Sequence, residues 1–104
     1  MINVIASIRV KTGKLSEFIE IFNTNVSNVK EEKGCIEYCP TVDVDADLPP
    51  QSLDKNIVTV IEKWESLKAL HDHLKSPHML AYKEKVKDIV EDLSIKVLEE
   101  VTMP

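Results

Sequence analysis

Residues 57–82 read IVTVIEKWESLKALHDHLKSPHMLAY, and this stretch decides the fold. Its first part, residues 57–64, is rich in Ile, Val and Trp and predicts a β-strand. The remainder has apolar residues at helical spacing, which predicts helical structure soon after the strand. A strand that passes directly into a helix is typical of a domain in which helices cover a sheet.

Two serines indicate where helices begin in this stretch. Ser66 stands before the first apolar repeat and suits an N-cap. Ser76 suits a second N-cap and Pro77 suits the first helical position, so the helix is expected to stop and restart there. The inward-facing side of the first segment is predicted to consist of Leu67, Leu70 and Leu74. The buried stripe of the second is predicted to consist of Tyr82, Val86, Ile89 and Val90.

The sequence on either side supplies the other elements. Apolar residues alternate near the N-terminus and then recur at helical spacing up to Gly34, a natural helix stop. Pro40 cannot donate a hydrogen bond to a neighbouring strand, so its strand is expected at a sheet edge. We predict strands at residues 2–10, 35–42 and 93–101 and a helix at residues 14–33. One face of the second strand is predicted to carry Ile36, Tyr38, Pro40 and Val42.

The predicted order of elements is β-α-β-β-α-β. This order predicts an α+β fold of the ferredoxin-like kind, in which helices cover one face of an antiparallel sheet. We expect it to form a single domain over residues 1–104.

A long polar connection, residues 43–56, separates the second and third predicted strands. Such long connections in small domains are often functional, so we expect this one to be mobile or to act as a lid. Asp43, Asp45 and Asp47 resemble the start of a calcium loop. Leu48 and Asp54, however, occupy the positions that require Gly and Glu, which favours a solvated acidic loop.

Several strands carry apolar residues at both odd and even positions. Ile5 follows Val4 in the first strand, and Ile61 follows Val60 in the third. An antiparallel sheet with one face in water shows a cleaner alternation. We therefore expect the second face to contact something apolar, and a second copy of the chain, forming a homodimer, is the simplest candidate.

The bulk composition excludes several classes of protein. The chain has 104 residues, and its net charge of -5 lacks the basic footprint of nucleic-acid binding. No apolar run approaches the ~20 residues that span a bilayer, and Met1 leads directly into a strand, so neither a membrane segment nor a signal peptide is expected.

Cys35 and Cys39 are expected roughly 13 Å apart on one strand, too far for a disulfide, which indicates a reducing cytoplasm.

Sequence motifs for common cofactors and metals are absent. The chain contains two glycines, too few for a phosphate-binding loop, and neither CxxC nor HExxH occurs. We therefore expect neither a phosphate-cradling loop nor a zinc site.

Three histidines lie close together in the sequence: His71, His73 and His78. Histidine is the usual general base near neutral pH, although such residues are more often ordinary surface positions of a helix. His73 lies off the predicted leucine stripe, which favours solvent exposure. His78 lies in the first turn after Pro77, where the helix dipole disfavours an imidazolium.

Three segments carry a family resemblance: residues 31–35 (EEKGC), residues 61–66 (IEKWES) and residues 73–79 (HLKSPHM). They resemble the antibiotic biosynthesis monooxygenase superfamily, and in particular its small bacterial quinol monooxygenases. The resemblance implies that two ferredoxin-like sheets pack face to face as a dimeric α/β barrel. It also implies a pocket between sheet and helices in each subunit.

The resemblance further implies chemistry without a metal, flavin or haem. In such enzymes a base removes a proton from a hydroquinone-like aromatic, and the electron-rich anion gives an electron to O₂ inside a dry cavity. The implied partners are therefore a small aromatic substrate and O₂.

The same resemblance assigns roles to individual positions. His73 and His78 match family histidines, which makes them the expected catalytic residues and reverses the inference drawn from the helical wheel. The expected substrate-binding residues are Tyr38, Trp64 and Tyr82. Haem-degrading members use a first-strand Asn, and Ala6 or Ser7 stands at that place here, which argues against haem cleavage.

Two other functions stay open on the sequence. Related proteins isomerise or degrade a phosphorylated signalling molecule, which would need an anion site, and the chain offers few suitable cations: Arg9, Lys83 and Lys85. The chain could also be a dimer that binds a ligand without catalysis, since the fold alone does not settle function.

Overall fold

The computed structural model describes residues 1–102; Met103 and Pro104, the end of the predicted domain, lie outside that range. Its elements are β1 (Ile2–Val10), α1 (Leu15–Lys30), β2 (Cys35–Thr41), β3 (Ile57–Trp64), α2 (Leu67–Leu74), α3 (Pro77–Val86) and β4 (Val90–Leu98). This order confirms the predicted ferredoxin-like fold, with the second helix divided into α2 and α3. Between residues 1 and 102, no helix is long and apolar enough to cross a membrane.

The four strands form one antiparallel sheet in the order β2-β3-β1-β4. β2 lies at the edge, as Pro40 predicted. Side chains at alternate positions of β1 and β3 are buried in the core: Val4, Ala6, Ile8, Val10, Val58 and Val60. The alternation predicted for residues 2–10 is therefore confirmed.

Aromatic rings connect the helices to the sheet. Phe22 of α1 stacks on Tyr38 of β2 with ring centroids 5.5 Å apart. Tyr82 of α3 meets both Phe18 and Phe22 edge-on, at centroid distances of 6.3 and 5.6 Å. Burying a phenylalanine side chain stabilises a fold by about 1.5–3 kcal/mol, so these contacts hold α1 and α3 against the sheet.

Two predicted elements have different ends in the structure. α1 stops at Lys30 instead of residue 33, because the residues that follow form a turn up to Gly34. β4 occupies Val90–Leu98 instead of residues 93–101, since its first residue already pairs with Val10.

The predicted inward faces of α2 and α3 are only partly right. Leu67 is 52% exposed, because the buried side of α2 consists of Ala69, Leu70 and His73. At 100° per residue, Leu67 points roughly 115° away from the centre of that side.

In α3 the predicted Tyr82 and Val86 are buried together with Met79. Ile89 is buried beyond the helix end, and Val90 belongs to β4.

The predicted face of β2 is wrong at its two ends. Tyr38 is buried, but Ile36 is 49% exposed. The register shifts between Cys35 and Glu37, and this irregularity turns Ile36 away from the core. Val42 lies beyond the last residue of the strand and is exposed. Cys35 and Cys39 are free thiols, as predicted.

Residues 43–56 form the predicted connection without a helix or strand. The Asp54 backbone N–H donates to Asp43 Oδ2 at 2.8 Å, and the Ala46 N–H donates to Gln51 Oε1 at 3.0 Å. The mobility of this loop stays a prediction. In the described part of the chain, no group of three or more His, Cys, Asp and Glu side chains could hold a metal ion.

Gly34 fixes how closely the turn after α1 approaches α2. Its φ is +87°, a conformation that favours glycine, and a Cβ added there would lie 2.6 Å from Ala69 Cβ. The Gly34 carbonyl accepts a hydrogen bond of 2.8 Å from the Glu65 N–H. The turn is therefore held against the start of α2 by both packing and hydrogen bonding.

We expect Gly34→Ala to lower the free energy of unfolding by about 2–4 kcal/mol, because it adds backbone strain and a steric clash. Gly13→Ala is the matched control. Gly13 also has a positive φ, of 83°, but no atom lies within 4 Å of an added Cβ. It should therefore cost only about 1–2 kcal/mol. Urea unfolding measures both, and equal losses would contradict the close contact with Ala69.

Candidate active site

One carboxylate brings two of the predicted histidines together. Glu32 Oε2 lies 2.8 Å from His73 Nδ1 and 2.8 Å from His78 Nε2. Glu32 comes from the turn after α1, His73 from the last turn of α2, and His78 from the first turn of α3. Since a carboxylate can only accept, both rings donate an N–H to the same oxygen.

His73 is buried between two aromatic rings. Its ring centroid lies 4.5 Å from that of Trp64 and 5.5 Å from that of Tyr38, and the residue is 1% exposed. The exposure that the helical wheel indicated for His73 is therefore wrong. Burial lowers the pKa of His73 below 6.5, although the hydrogen bond and charge of Glu32 act in the opposite direction. A neutral His73 that donates through Nδ1 keeps its Nε2 lone pair available for a proton.

Ser76 links the two histidines through the break between α2 and α3. Its hydroxyl donates to the His73 carbonyl at 2.7 Å, and Ser76 Oγ also lies 3.2 Å from His78 Nε2. Ser76 is the N-cap residue of α3 by position, but its side chain makes no capping hydrogen bond. At the start of α2, by contrast, Ser66 Oγ accepts from the Ala69 N–H at 3.1 Å, as an N-cap should.

A second buried carboxyl group, Glu62, faces the core from β3. Trp64 Nε1–H donates to Glu62 Oε1 at 2.9 Å, and Glu62 is 7% exposed. Burial raises the pKa of Glu62 to about 7; the Trp64 bond acts in the opposite direction, and the Glu32 charge raises it further. Glu62 was not among the site residues predicted from the sequence. The signal was present, because a glutamate stands at an inward-facing position between Val60 and Trp64.

A largely apolar cavity of about 460 Å³ lies between the sheet and the helices. Its aromatic walls are Phe22, Tyr38 and Tyr82. Its aliphatic lining includes Ile8, Val60, Leu74, Val86, Leu93 and Ile95. Burial raises the pKa of Tyr38 and of Tyr82, so both hydroxyls stay protonated near neutral pH. Planar apolar molecules suit such a cavity.

The structure brings the five predicted site residues into one region but gives them different positions. Tyr38 and Tyr82 line the large cavity. His73 and Trp64 do not line it; His73 lies behind Tyr38, and Trp64 packs on His73. His78 lines a neighbouring cavity of about 120 Å³, and Tyr82 is common to both cavities.

Comparison with known proteins identifies the family. Residues 1–85 match the family model described as antibiotic biosynthesis monooxygenase. The chain belongs to the antibiotic biosynthesis monooxygenase family. This finding confirms the resemblance drawn from residues 31–35, 61–66 and 73–79.

A curated relative agrees with this assignment, and two solved structures share the fold. The chain is 39% identical to a protein of Escherichia coli K12 named probable quinol monooxygenase YgiN, over 95% of this chain and 97% of that protein. The crystal structure of PA3566 from Pseudomonas aeruginosa has a TM-score of 0.81 at 21% identity, covering 97% of this chain and 94% of that one. Protein SO0527 from Shewanella oneidensis has a TM-score of 0.76 at 26% identity, covering 93% and 87%.

We expect the contribution of Glu62 to the free energy of unfolding to decrease as the pH rises. Its pKa is about 7 in the folded state against 4.5 for an ordinary glutamate, so the folded protein keeps a proton that the unfolded chain has released. The stabilisation of the folded state by protonated Glu62 is therefore fully present below about pH 4.5 and is lost as the pH rises through about 7. Between pH 5 and pH 8 this loss should be on the order of 1–3 kcal/mol.

Glu62→Gln should remove that pH dependence while keeping an acceptor for Trp64. Urea unfolding of parent and variant at both pH values measures the difference. His73 acts in the other direction, because its lowered pKa destabilises the fold as the pH falls below 6.5. Its contribution is common to both proteins and cancels in the comparison. Identical pH profiles for parent and variant would show that Glu62 is not buried as described.

Proposed function

We propose that this chain is a cofactor-independent monooxygenase that oxidises a quinol-like aromatic with O₂. The reaction converts a hydroquinone and O₂ into a hydroxyquinone and water, with one oxygen atom going to each product. The observation that carries the proposal is the carboxylate of Glu32, which holds His73 in one tautomer directly behind the aromatic wall of the cavity.

The cavity suits the proposed substrate by size and by composition. Ligand pockets are typically about 300–1,000 Å³ and mainly apolar, and this one measures about 460 Å³. Its aromatic walls can contact the faces of a planar ring. Few polar groups line the cavity, which suits a largely apolar ring.

His73 is the proposed base. Its neutral ring can take the hydroxyl proton of the substrate on Nε2, and the Glu32 carboxylate stabilises the imidazolium that forms, as in catalytic carboxylate–histidine pairs. The Tyr38 ring stands between His73 and the cavity, so its position controls how closely a substrate hydroxyl approaches. His78 is the second proposed catalytic residue, since it shares the same Glu32 oxygen.

The similarity to known proteins supports a quinol as the substrate class. The relative YgiN, with 39% identity, is named as a probable quinol monooxygenase. The alternative of a phosphorylated substrate would need cations at the cavities, and Arg9 does not provide one. Arg9 pairs with Asp54 at 2.8 Å and stands at an outward position of β1. Lys83 and Lys87 line the large cavity, and Lys85 lines the smaller one.

We further propose that a second copy of the chain covers the sheet face opposite the helices. Three apolar residues stand on that face at β1, β3 and β4: Ile5, Ile61 and Leu98. Ile61 and Leu98 are 38% and 45% exposed in the single chain. Face-to-face contact of two such sheets would bury these side chains and give the expected dimeric barrel.

Oxygen uptake with reduced menadione tests the proposed chemistry. His73→Ala should lower the rate about 10²–10⁴-fold, the usual contribution of a general base, and His78→Ala should also lower it. His71→Ala is the matched control, because His71 lies on the exposed side of the same helix. Melting curves should show that each variant folds.

Two results would contradict this function. The first is a parent protein, purified free of metal and flavin, that consumes oxygen no faster than the quinol does alone. The second is near-parental rates in both His73→Ala and His78→Ala. A rate loss that only follows a lower melting temperature would indicate a packing role for the histidines.

Sedimentation equilibrium tests the dimer at micromolar concentration. Leu98→Asp should shift the protein toward monomer, because it places a charge on the sheet face opposite the helices. Val97→Asp is the matched control: Val97 pairs with Val4 on the helix side and is similarly exposed, at 47%. A folded parent monomer, or equal effects of both substitutions, would overturn the assignment of this face.

A further inference from the structure

Glu62 is a buried carboxyl group to which the proposed reaction has so far given no role. It points to the helix side of β3, and it forms no salt bridge with any residue in the range 1–102. Oε1 accepts from Trp64, whereas Oε2 has no hydrogen-bond partner among those residues. A buried carboxyl without a cation favours its neutral form, and a neutral carboxyl has a proton to donate.

The sheet register places Glu62 next to two residues that line the large cavity, although Glu62 itself is not among the lining residues. Val60 lines the cavity, and Glu62 is the next residue along β3 on the same face, about 7 Å away. Across the sheet Glu62 pairs with Tyr38 on one side and Val4 on the other. Tyr38 also lines the cavity, so Glu62 has a cavity-lining neighbour along its strand and another across the sheet.

The other titratable groups around Glu62 supply no positive charge. Tyr38 and Cys35 of β2 and Tyr82 of α3 interact with the Glu62 charge, and the pKa of each is raised. Glu32, in the turn after α1, raises the pKa of Glu62 by its own negative charge. Trp64 is the one group on β3 that favours the carboxylate, through its N–H.

We propose that Glu62 is a general acid, which donates a proton to the oxygen atom that leaves the substrate as water. The proposal rests on the monooxygenase function and gives the site a base and an acid in different environments. His73 is buried beside a carboxylate and accepts a proton; Glu62 is buried without a cation and supplies one. Two groups whose surroundings favour opposite protonation states are a general pattern of acid–base pairs.

The proton transfers balance over one turnover. His73 removes a hydroxyl proton from the quinol, the anion reduces O₂ and forms a carbon–oxygen bond at the ring, and His73 returns its proton to the outer oxygen. The O–O bond then breaks, its electron pair goes to the outer oxygen, and Glu62 protonates that oxygen to give water. The C–H electron pair of the same ring carbon forms the new carbonyl, and the proton released there restores Glu62.

The pH dependence of oxygen uptake separates this role from a structural one. In the parent, the rate with reduced menadione should fall as the pH rises and Glu62 loses its proton. Glu62→Gln, which keeps an acceptor for Trp64, should lower the rate about 10²–10⁴-fold and abolish the alkaline limb. Trp64→Phe keeps the carboxyl but removes the N–H that favours its charged form, so the alkaline limb should move to higher pH.

Carboxyl NMR of ¹³C-labelled Glu62, recorded without substrate, should show a higher Glu62 pKa in the Trp64→Phe protein than in the parent. The His71→Ala protein is the control with an unaltered pH profile. Near-parental rates and an unchanged alkaline limb in Glu62→Gln would overturn the proposal while leaving the monooxygenase function standing. A Trp64→Phe protein whose Glu62 titration moves but whose alkaline limb does not would also overturn it. No oxygen uptake by the parent would overturn both the acid and the function.

Discussion

The contact of Glu32 with two imidazoles is the interaction on which the site depends. It joins the turn after α1 to the last turn of α2 and the first turn of α3, three segments that the sheet alone would not hold together. Gly34 makes this geometry accessible, because any larger residue would collide with Ala69 and move the turn outward. The close packing at Gly34 therefore helps to position Glu32, two residues away, whose carboxylate sets the tautomer of His73.

Burial shifts the pKa values of His73 and Glu62 in opposite directions. It lowers the pKa of His73 and raises that of Glu62, because in each case removal from water disfavours the charged form. Burial therefore favours the neutral form of both groups inside an apolar region. A substrate that loses protons while O₂ gains them needs such an acceptor and donor, and neither group requires a bound ion to carry a proton.

The sequence predicted the architecture well because local signals and tertiary packing agree for most elements. Alternation defines β1, and Pro77 divides the second helix. The predictions failed where tertiary context decides the outcome. The irregularity after Cys35 turns Ile36 outward, and no spacing of residues in the sequence predicts it.

The site was predictable residue by residue only in part. His73 looked exposed on a helical wheel because α2 is eight residues long and packs through Ala69 instead of the leucine stripe. The pairing of Glu32 with His73 spans 41 residues of sequence, and no local pattern predicts a contact at that distance. Glu62, by contrast, could have been found, since a charged residue interrupts an apolar strand face.

The most direct test of the oxygenation chemistry is mass spectrometry of the product formed from reduced menadione under ¹⁸O₂. We expect one ¹⁸O atom in the hydroxylated quinone and the other in water. A product quinone that contains no ¹⁸O, with the labelled oxygen released as hydrogen peroxide, would contradict a monooxygenase mechanism.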